Sequence, residues 1–280
     1  MTRKLPWFCS LVTAFLVHWL NAQQLEFKYD PASLVTLVIT SCNRPTSLLG
    51  LLDSMLKFNT FKFRVILVAE ASGRVRVNDA VVKKYPYLTY LHCRERRSQV
   101  ENIDAAYAVV ATPYILHFEE DWLVFRDGFV ERSLCLLEKF LKVSVVSLHN
   151  VGENEFQQID EVLIAGSGLM KRDLFGGWGY FTWGAGMRRL SDYQAIGGNY
   201  QQYNHTWKSN AQLQNEARKE GINIKKHFIH REWKINWLYK EKGFRVALFN
   251  DTQLHGPYAK HSPIDKEKHV PDVKGASPFE

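Results

Sequence analysis

From about residue 33 to residue 141 the chain repeats one pattern: a short apolar run, a break, then a stretch whose apolar residues recur at helical spacing. Apolar runs this short suit strands covered on both faces, whereas a surface helix would show a stripe. L-V-T-L-V-I-T (34–40), F-R-V-I-L-V-A (63–69), L-T-Y-L-H (88–92) and Y-I-L-H-F (114–118) are such runs. After the first, Thr46 or Ser47 can cap a helix on which Leu48, Leu51, Leu52 and Met55 fall at i, i+3, i+4 and i+7. R-E-R-R-S-Q-V-E-N-I-D-A-A-Y-A-V-V leads through another helix, and roughly 127–141 predicts a third with Val130, Leu134, Leu137 and Leu141 inward. Strands joined by helices in this order predict an α/β domain, a mostly parallel sheet with right-handed crossovers and helices on its faces. With 280 residues, 46% of them hydrophobic, the chain can bury one substantial core.

Ligands of such sheets bind at the carboxyl ends of the strands. That rule gathers Cys42, Asn43 and Arg44, then Glu70, Ser72 and Gly73, then Glu119, Glu120 and Asp121 at one rim. The last group ends the run Y-I-L-H-F-E-E-D-W. An isolated acidic triplet is most often a polar turn. If the strand stays extended through it, Glu119 and Asp121 share a face and Glu120 points elsewhere, with Trp122 sealing the turn behind. Two carboxylates on one face repel unless a cation lies between them, and a hard divalent ion with oxygen ligands resolves the repulsion.

The second half is richer in glycine and aromatics: A-G-S-G-L-M, F-G-G-W-G-Y-F-T-W-G-A-G-M-R-R-L and I-G-G-N-Y. Glycine permits close backbone approach and aromatic faces suit sugar rings, although a loop-rich packing layer would look the same. R-E-W-K-I-N-W-L-Y-K-E-K-G-F-R-V-A-L-F predicts a helix ended at Gly243 and a last strand, with Ile235, Leu238 and Tyr239 inward and Glu232 on the same side. His255 follows that strand, and residues 261–280 predict an irregular tail.

Residues 1–24 predict a signal peptide or signal anchor: Arg3 and Lys4 precede the apolar segment 5–20, and no further Lys or Arg occurs before Lys28. The remainder is thereby expected on the lumenal side of the endoplasmic reticulum or Golgi, as a single-pass type II protein, or secreted. The sequons N-H-T at Asn204 and N-D-T at Asn250 agree with that exposure. A net charge of +7 suits a phosphate-bearing partner, but 29 acidic residues interspersed among 36 basic ones, with no long basic tract, argue against nucleic acid. The four cysteines lie too far apart to define a zinc site or a disulfide framework.

Four ordered motifs carry a resemblance. V-T-L-V-I-T-S-C-N-R-P-T-S-L-L resembles the opening of nucleotide-sugar glycosyltransferases of GT-A fold, in particular the family-two-like inverting group. E-N-I-D-A-A-Y-A-V-V-A-T-P-Y-I-L-H-F-E-E-D-W is similar to the segment leading into their metal-binding DxD motif, in a form close to H-x-E-D-D-W. F-T-W-G-A-G-M-R-R-L-S-D-Y-Q-A-I-G-G-N-Y resembles the acceptor-side loop, and R-E eleven residues before G-F stands where relatives carry E-D with the catalytic base. The resemblance implies one catalytic domain over 33–260, nucleotide-sugar binding in 33–125 and acceptor binding in 126–260. It implies inverting transfer from a nucleoside-diphosphate sugar, UDP-linked, to a glycan or glycoconjugate hydroxyl, with Mn²⁺ or Mg²⁺. Glu232 would be the base; Glu119, Asp121 and His255 would hold the metal. Thr40, Asn43, Arg44, Glu70, Arg97 and Asn102, with the acids Glu119, Glu120 and Asp121, would bind the donor. Trp183, Gly184, Arg188 and Asp192 would face the acceptor. E-A-S after the second run, where relatives carry acid-acid-serine, removes one nucleotide contact. The alternative is a protein of the same fold that binds glycans or nucleotide sugars without turnover. Nucleotidyl transfer would want a phosphate-cradling glycine-rich loop after the first strand, and S-C-N-R-P-T-S is not one.

Overall fold

The computed structural model describes residues 26–74, 76–149, 158–164, 166–172, 179–205, 215, 218–219, 231–251 and 255–262. The N-terminal hydrophobic segment and nearly all of the expected tail lie outside these residues. No helix of the described residues is long and apolar enough to cross a membrane.

The four apolar runs form β1 (Val35–Ser41), β2 (Val65–Glu70), β3 (Thr89–His92) and β4 (Tyr114–Glu119), paired in parallel in the order β3-β2-β1-β4. Every residue of β1 is buried, which is what a run without polar alternation requires. The connections carry α1 (Pro45–Phe58), α2 (Asp79–Lys84) and α3 (Gln99–Ala108). On α1 the stripe Leu48, Leu51, Leu52 and Met55 is fully buried, as its spacing predicts. Its start differs from expectation: neither Thr46 nor Ser47 caps it. Arg44 holds the cap position, and Pro45, whose missing N–H lies where no helical bond is needed, begins the first turn. Ser98 and Glu101 form a reciprocal capping box at α3.

Beyond β4 come β5 (Trp122–Val124), α4 (Phe129–Lys139), β6 (Val143–Ser147), the hairpin β7 (Ile159–Ile164) and β8 (Ser167–Met170), and β9 (Gly186–Arg189). Then follow α5 (Leu190–Ala195), α6 (Gln202–His205), α7 (Arg231–Glu241), β10 (Arg245–Phe249) and β11 (Ala259–His261). Leu141 corrects the expectation for α4: the helix ends at Lys139, so Leu141 lies past it and is 78% exposed, while Val130 and Leu137 are buried. As expected, Gly243 follows α7 at φ +74°, and Ile235, Leu238 and Tyr239 are buried.

The main sheet runs β3-β2-β1-β4-β9-β6-β10-β8-β7. Within it β9 and β8 run against the other strands, so the sheet is mostly parallel. One face packs on α1 and α4. The other carries an aromatic layer that includes Tyr107, Phe181, Trp183, Tyr193, Tyr200 and Tyr239. Gly186 lets β9 enter the middle of the sheet, where a Cβ would overlap the Val146 carbonyl oxygen.

His117 sits in β4 with no exposed surface, its Nδ1 3.0 Å from the Tyr107 hydroxyl. Burial, and then the charge of Arg188, hold its pKa well below the usual histidine value. Such a group takes up a proton in the unfolded chain below about pH 6.5 but not in the folded one, so its contribution to stability falls as pH falls. Between pH 6 and pH 5 the wild type should lose about 1 kcal/mol more stability than a His117→Asn variant. Urea unfolding of both proteins at the two pH values measures this difference, and equal losses would place the His117 pKa in the ordinary range.

Candidate functional site

The parallel register brings the carboxyl ends of β1, β2 and β4 together, pairing Ser41 with Glu70 and Thr40 with Glu119. Glu120 prolongs this order, since its N–H donates to the Thr40 carbonyl at 3.1 Å. Thr40 itself is buried and positions the acidic turn through its backbone. Glu70 is only 1% exposed. Its Oε1 accepts from the backbone N–H groups of Asn43 at 3.0 Å and Ser72 at 2.9 Å, and its Oε2 from Asn78 Nδ2 at 3.2 Å. The loops after β1 and β2 are therefore tied together by one carboxylate, and a ligand contact would require Glu70 to give up these bonds. Asn43 takes φ +59°, a left-handed conformation that asparagine tolerates better than most residues, and its Oδ1 accepts from Arg74 Nη1 at 3.2 Å. Asn102 is also internal: it is buried and its Nδ2 donates to the Ala69 carbonyl at 2.8 Å. Arg97 stands on the same side, where its N–H donates to the Ala71 carbonyl at 2.9 Å and its Nη1 is buried without a hydrogen-bond partner.

The acidic triplet differs in detail from the expected alternation. The strand ends at Glu119, and Glu120 and Asp121 form a turn before β5. Glu119 accepts from Gln99 Nε2 and, at 3.5 Å, from Trp122 Nε1. Glu120, without an assigned role in the strand picture, is buried; its Oε1 accepts from the Cys42 N–H at 3.2 Å and lies 3.7 Å from Arg44 Nη1. Asp121 Oδ2 lies 3.5 Å from the same Arg44 nitrogen. Burial first, and then the charge of Asp121, raise the pKa of Glu119 and push that of Glu120 up to about 8. Burial also acts to raise Asp121, but His261 and Arg44 outweigh it and hold this carboxyl below its ordinary value. Asp121 is thus the acid most firmly ionised. Its Oδ1 is buried without a hydrogen-bond partner. A buried carboxylate oxygen without a hydrogen-bond donor, in a set of three carboxylates, fits a hard divalent cation such as Mn²⁺ or Mg²⁺. Among the described residues, however, no three His, Cys, Asp or Glu side chains are already drawn together as a metal-binding group.

The strand β5 leaves the turn directly and pairs antiparallel with β11, setting His261 opposite Trp122. His261 Nδ1 is 3.6 Å from Asp121 Oδ1, and the Ser262 N–H donates to the Asp121 carbonyl at 2.6 Å. Trp122 lies buried between two imidazoles, with ring centroids 4.0 Å from His261 and 4.5 Å from His149. His255, expected among the metal ligands, is exposed on the turn after Asp251, to whose carbonyl its N–H donates at 3.1 Å. The histidine that the fold places at Asp121 is instead His261. Its position depends on a three-residue ribbon, and no periodicity in Y-A-K-H-S reveals it. The tail expected from residue 261 is therefore ordered through Ser262 at its beginning.

The glycine-rich loop arrives from the other side. A Cβ on Gly184 would overlap His149 Nε2, so this glycine allows the loop to press against the histidine that packs on Trp122. Burial, and then His261, lower the His149 pKa to about 4. Trp183 is buried in the aromatic layer. Arg188, 2% exposed, reaches back from β9 so that its Nη2 donates to the carbonyls of Gly184 at 3.2 Å and Trp183 at 3.5 Å, which makes it a support beneath the loop. Asp192 is a correction to the acceptor-side set. It accepts from Arg189 Nε at 2.9 Å beside the start of β4, where Arg189 pairs with Tyr114, at the end of the strands opposite the acids. Asn236 of α7 staples the loop: its Oδ1 accepts from the N–H groups of Tyr180 and Phe181, both at 3.1 Å. Sequence periodicity did not reveal this role, because a buried asparagine among Ile235, Trp237 and Leu238 carries no separate pattern. Glu232 stands one helical turn before Asn236, in the first turn of α7; its side chain lies outside the described residues.

The family described as glycosyl transferase family 2 matches residues 36–197, from β1 to just past α5 and including the acidic turn. Among curated proteins none matches the sequence. Solved structures do. The mannosyltransferase PcManGT from Pyrobaculum calidifontis, in complex with GDP-Man and Mn²⁺, is similar at 11% identity with a TM-score of 0.50, over 85% of this chain and 63% of that one. TarS 1-349 of S. aureus is similar at 11% identity with a TM-score of 0.45, over 78% of this chain and 58% of that one. The chain thus spans about three fifths of the length of these two proteins. The PcManGT likeness concerns the fold. Since the family match covers more than half of the chain, this protein belongs to glycosyl transferase family 2.

Proposed function

We propose that the chain transfers a sugar from a nucleoside-diphosphate sugar, UDP-linked, to a hydroxyl of a glycan or glycoconjugate, with inversion and with Mn²⁺ or Mg²⁺ at the acidic turn. The observation that carries this reading is the meeting of Arg44, Glu119, Glu120 and Asp121 at the carboxyl ends of β1 and β4, inside the segment matched to the family. Glu119 and Asp121 are the residues that would hold the ion. When bound, it would act as a Lewis acid on the diphosphate leaving group. PcManGT, described in complex with GDP-Man and Mn²⁺, supports a cation-dependent nucleotide-sugar reading for this fold.

The chain's own residues would divide the remaining work. Arg44, held at the rim by the Asn43 turn and by Pro45, offers a positive charge to phosphate oxygens. Glu70 keeps the β1 and β2 loops in register from beneath, acting through Asn43 and Ser72. Trp183 and Gly184, supported by Arg188, border the acceptor side. Glu232 would accept the proton of the attacking hydroxyl, the general-base step of a single displacement. The segment 1–24 would take the protein to the secretory pathway. Incubating the protein with a panel of UDP and GDP sugars, with Mn²⁺ or with a chelator, tests the reading. Metal-dependent release of nucleotide from one UDP sugar is the expected result, and release from none of them in either condition would overturn it.

A further inference from the structure

We propose that the face formed at the amino ends of the strands rests on a bilayer surface, so that the acidic turn opens away from it. The inference rests on the reading of segment 1–24 as a membrane anchor, and adds which side of the domain meets the lipid. The described chain enters at that end: Tyr29 bridges to Phe63, two residues before β2 begins, and the Phe63 N–H donates to the Lys28 carbonyl at 3.2 Å. Residue 20, where the apolar segment closes, is nine residues from Tyr29, a reach of at most about 30 Å. The amino-end face is thus the one held nearest to any bilayer that takes up the segment.

That face is apolar and basic. Leu34, Val109 and Leu141 are 51%, 58% and 78% exposed; Leu34 precedes β1, Val109 follows α3 and Leu141 precedes β6. They lie along one continuous edge: the Tyr114 N–H donates to the Leu34 carbonyl at 3.1 Å, the Leu190 N–H to the Pro113 carbonyl at 2.8 Å, and Arg189 Nη2 to the Leu141 carbonyl at 2.8 Å. From β1 to β6 is three strand spacings, roughly 15 Å. A single exposed leucine is ordinary, but three large apolar side chains at the end where the chain enters form a patch. Exposed Lys62, Arg64, Lys139, Lys142 and Lys242 stand at the same end, and the exposed acids Glu138 and Glu241 each adjoin one of these lysines. A helix dipole accounts for Lys139, in the last turn of α4, but not for Lys62, Arg64 and Lys142, which lie in loops. Cations beside apolar side chains suit lipid phosphates over the acyl boundary. A second copy of the chain fits less well, since a two-fold contact would set these cations against themselves. At the other end of β1, seven residues and roughly 20 Å away, the acids 119–121 would be repelled by the same phosphates.

The full chain, reconstituted into vesicles of phosphatidylcholine and phosphatidylserine, tests this with the photo-crosslinking residue p-benzoylphenylalanine placed at one position at a time. Leu141 and Val109 probe the proposed face. Phe125, 46% exposed and close to the acidic turn, and Val162, 66% exposed on the edge strand β7, are the comparison positions. Lipid adducts at Leu141 and Val109 should exceed those at Phe125 and Val162 about tenfold, because only side chains within the roughly 5–10 Å interfacial layer meet lipid. All four positions are exposed, so the substitutions should leave the fold intact. Vesicle-bound chain with equal adducts at the four positions, with none at any of them, or with adducts from Leu141 to a second protein chain would overturn the docking while leaving the anchor intact. Failure of the full chain to sediment with the vesicles would overturn both.

Discussion

Asp121→Asn should lower metal-dependent transfer by about a thousandfold. A bound divalent ion contributes several kcal/mol to stabilising a departing diphosphate, and each 1.4 kcal/mol is a factor of about ten in rate. Asp121 is the acid held ionised, and its Oδ1 is the oxygen with no hydrogen-bond partner, so its charge is the one the ion would miss most. Asparagine has the same shape and leaves the Asp121 carbonyl bond to Ser262 intact, so the fold should survive. The ion pair lost with Arg44 is long and partly exposed, a kind of contact that contributes about 0–1 kcal/mol to stability. The measurement is initial rate against Mn²⁺ concentration in the variant and the wild type. Transfer retained within tenfold, with the same Mn²⁺ dependence, would make the acidic turn a structural feature only.

Glu232→Gln should lower kcat by about a thousandfold while leaving UDP affinity unchanged. A positioned general base contributes about 10²- to 10⁴-fold, and a glutamine of equal size accepts no proton. The position is set by α7, whose Asn236 is bound into the Tyr180–Phe181 segment one turn further along. Donor affinity should hold because the donor-side residues lie at the ends of β1 and β4, in other elements of the fold. Single-turnover rates together with UDP binding by calorimetry separate the two quantities. Unchanged kcat would remove Glu232 as the base, and loss of UDP binding with kcat intact would assign it to the donor side. The family match ends at residue 197, so this assignment rests on the helix and the R-E to G-F spacing alone.

The first half of the fold was legible because burial on both faces writes itself into sequence. β1, β2 and β4 are near-continuous apolar runs, and the α1 stripe follows the helical repeat, so both survive without knowledge of their neighbours, whereas β3, Thr-Tyr-Leu-His at the sheet edge, has no buried residue. The later strands are written otherwise. β9 is Gly-Met-Arg-Arg, a glycine followed by two arginines at its end, and it is a strand because β4 and β6 flank it. β5 and β11 have three residues each, too few for any alternation to be counted. The same limit applies to the site. Glu119 to Asp121 could be placed at the rim from strand direction alone, but the turn after Glu119 changes which acids share Arg44. His261 reaches Asp121 through its pairing with Trp122, 139 residues away, in β5 and β11, whereas His255, six residues earlier, does not enter that ribbon. Asp192 was misplaced because G-M-R-R runs antiparallel to β4, ending beside Tyr114 and so setting the start of α5 at the far end of the sheet.

The insertion of β9 between β4 and β6 also fixes an order of assembly. β4 and β6 are separated by only α4 and β5 in the chain, yet they do not pair with each other; the strand between them begins 39 residues after β6 ends, at Gly186. A nascent chain emerging as far as β6 therefore holds a slot one strand wide in the middle of its sheet, with unpaired N–H and C=O groups on both sides. Such edges template intermolecular pairing. The glycine-rich loop thus has a second duty during biosynthesis, since it delivers the strand that closes the slot. Fragments ending between residues 147 and 185 should self-associate where the longer chain does not.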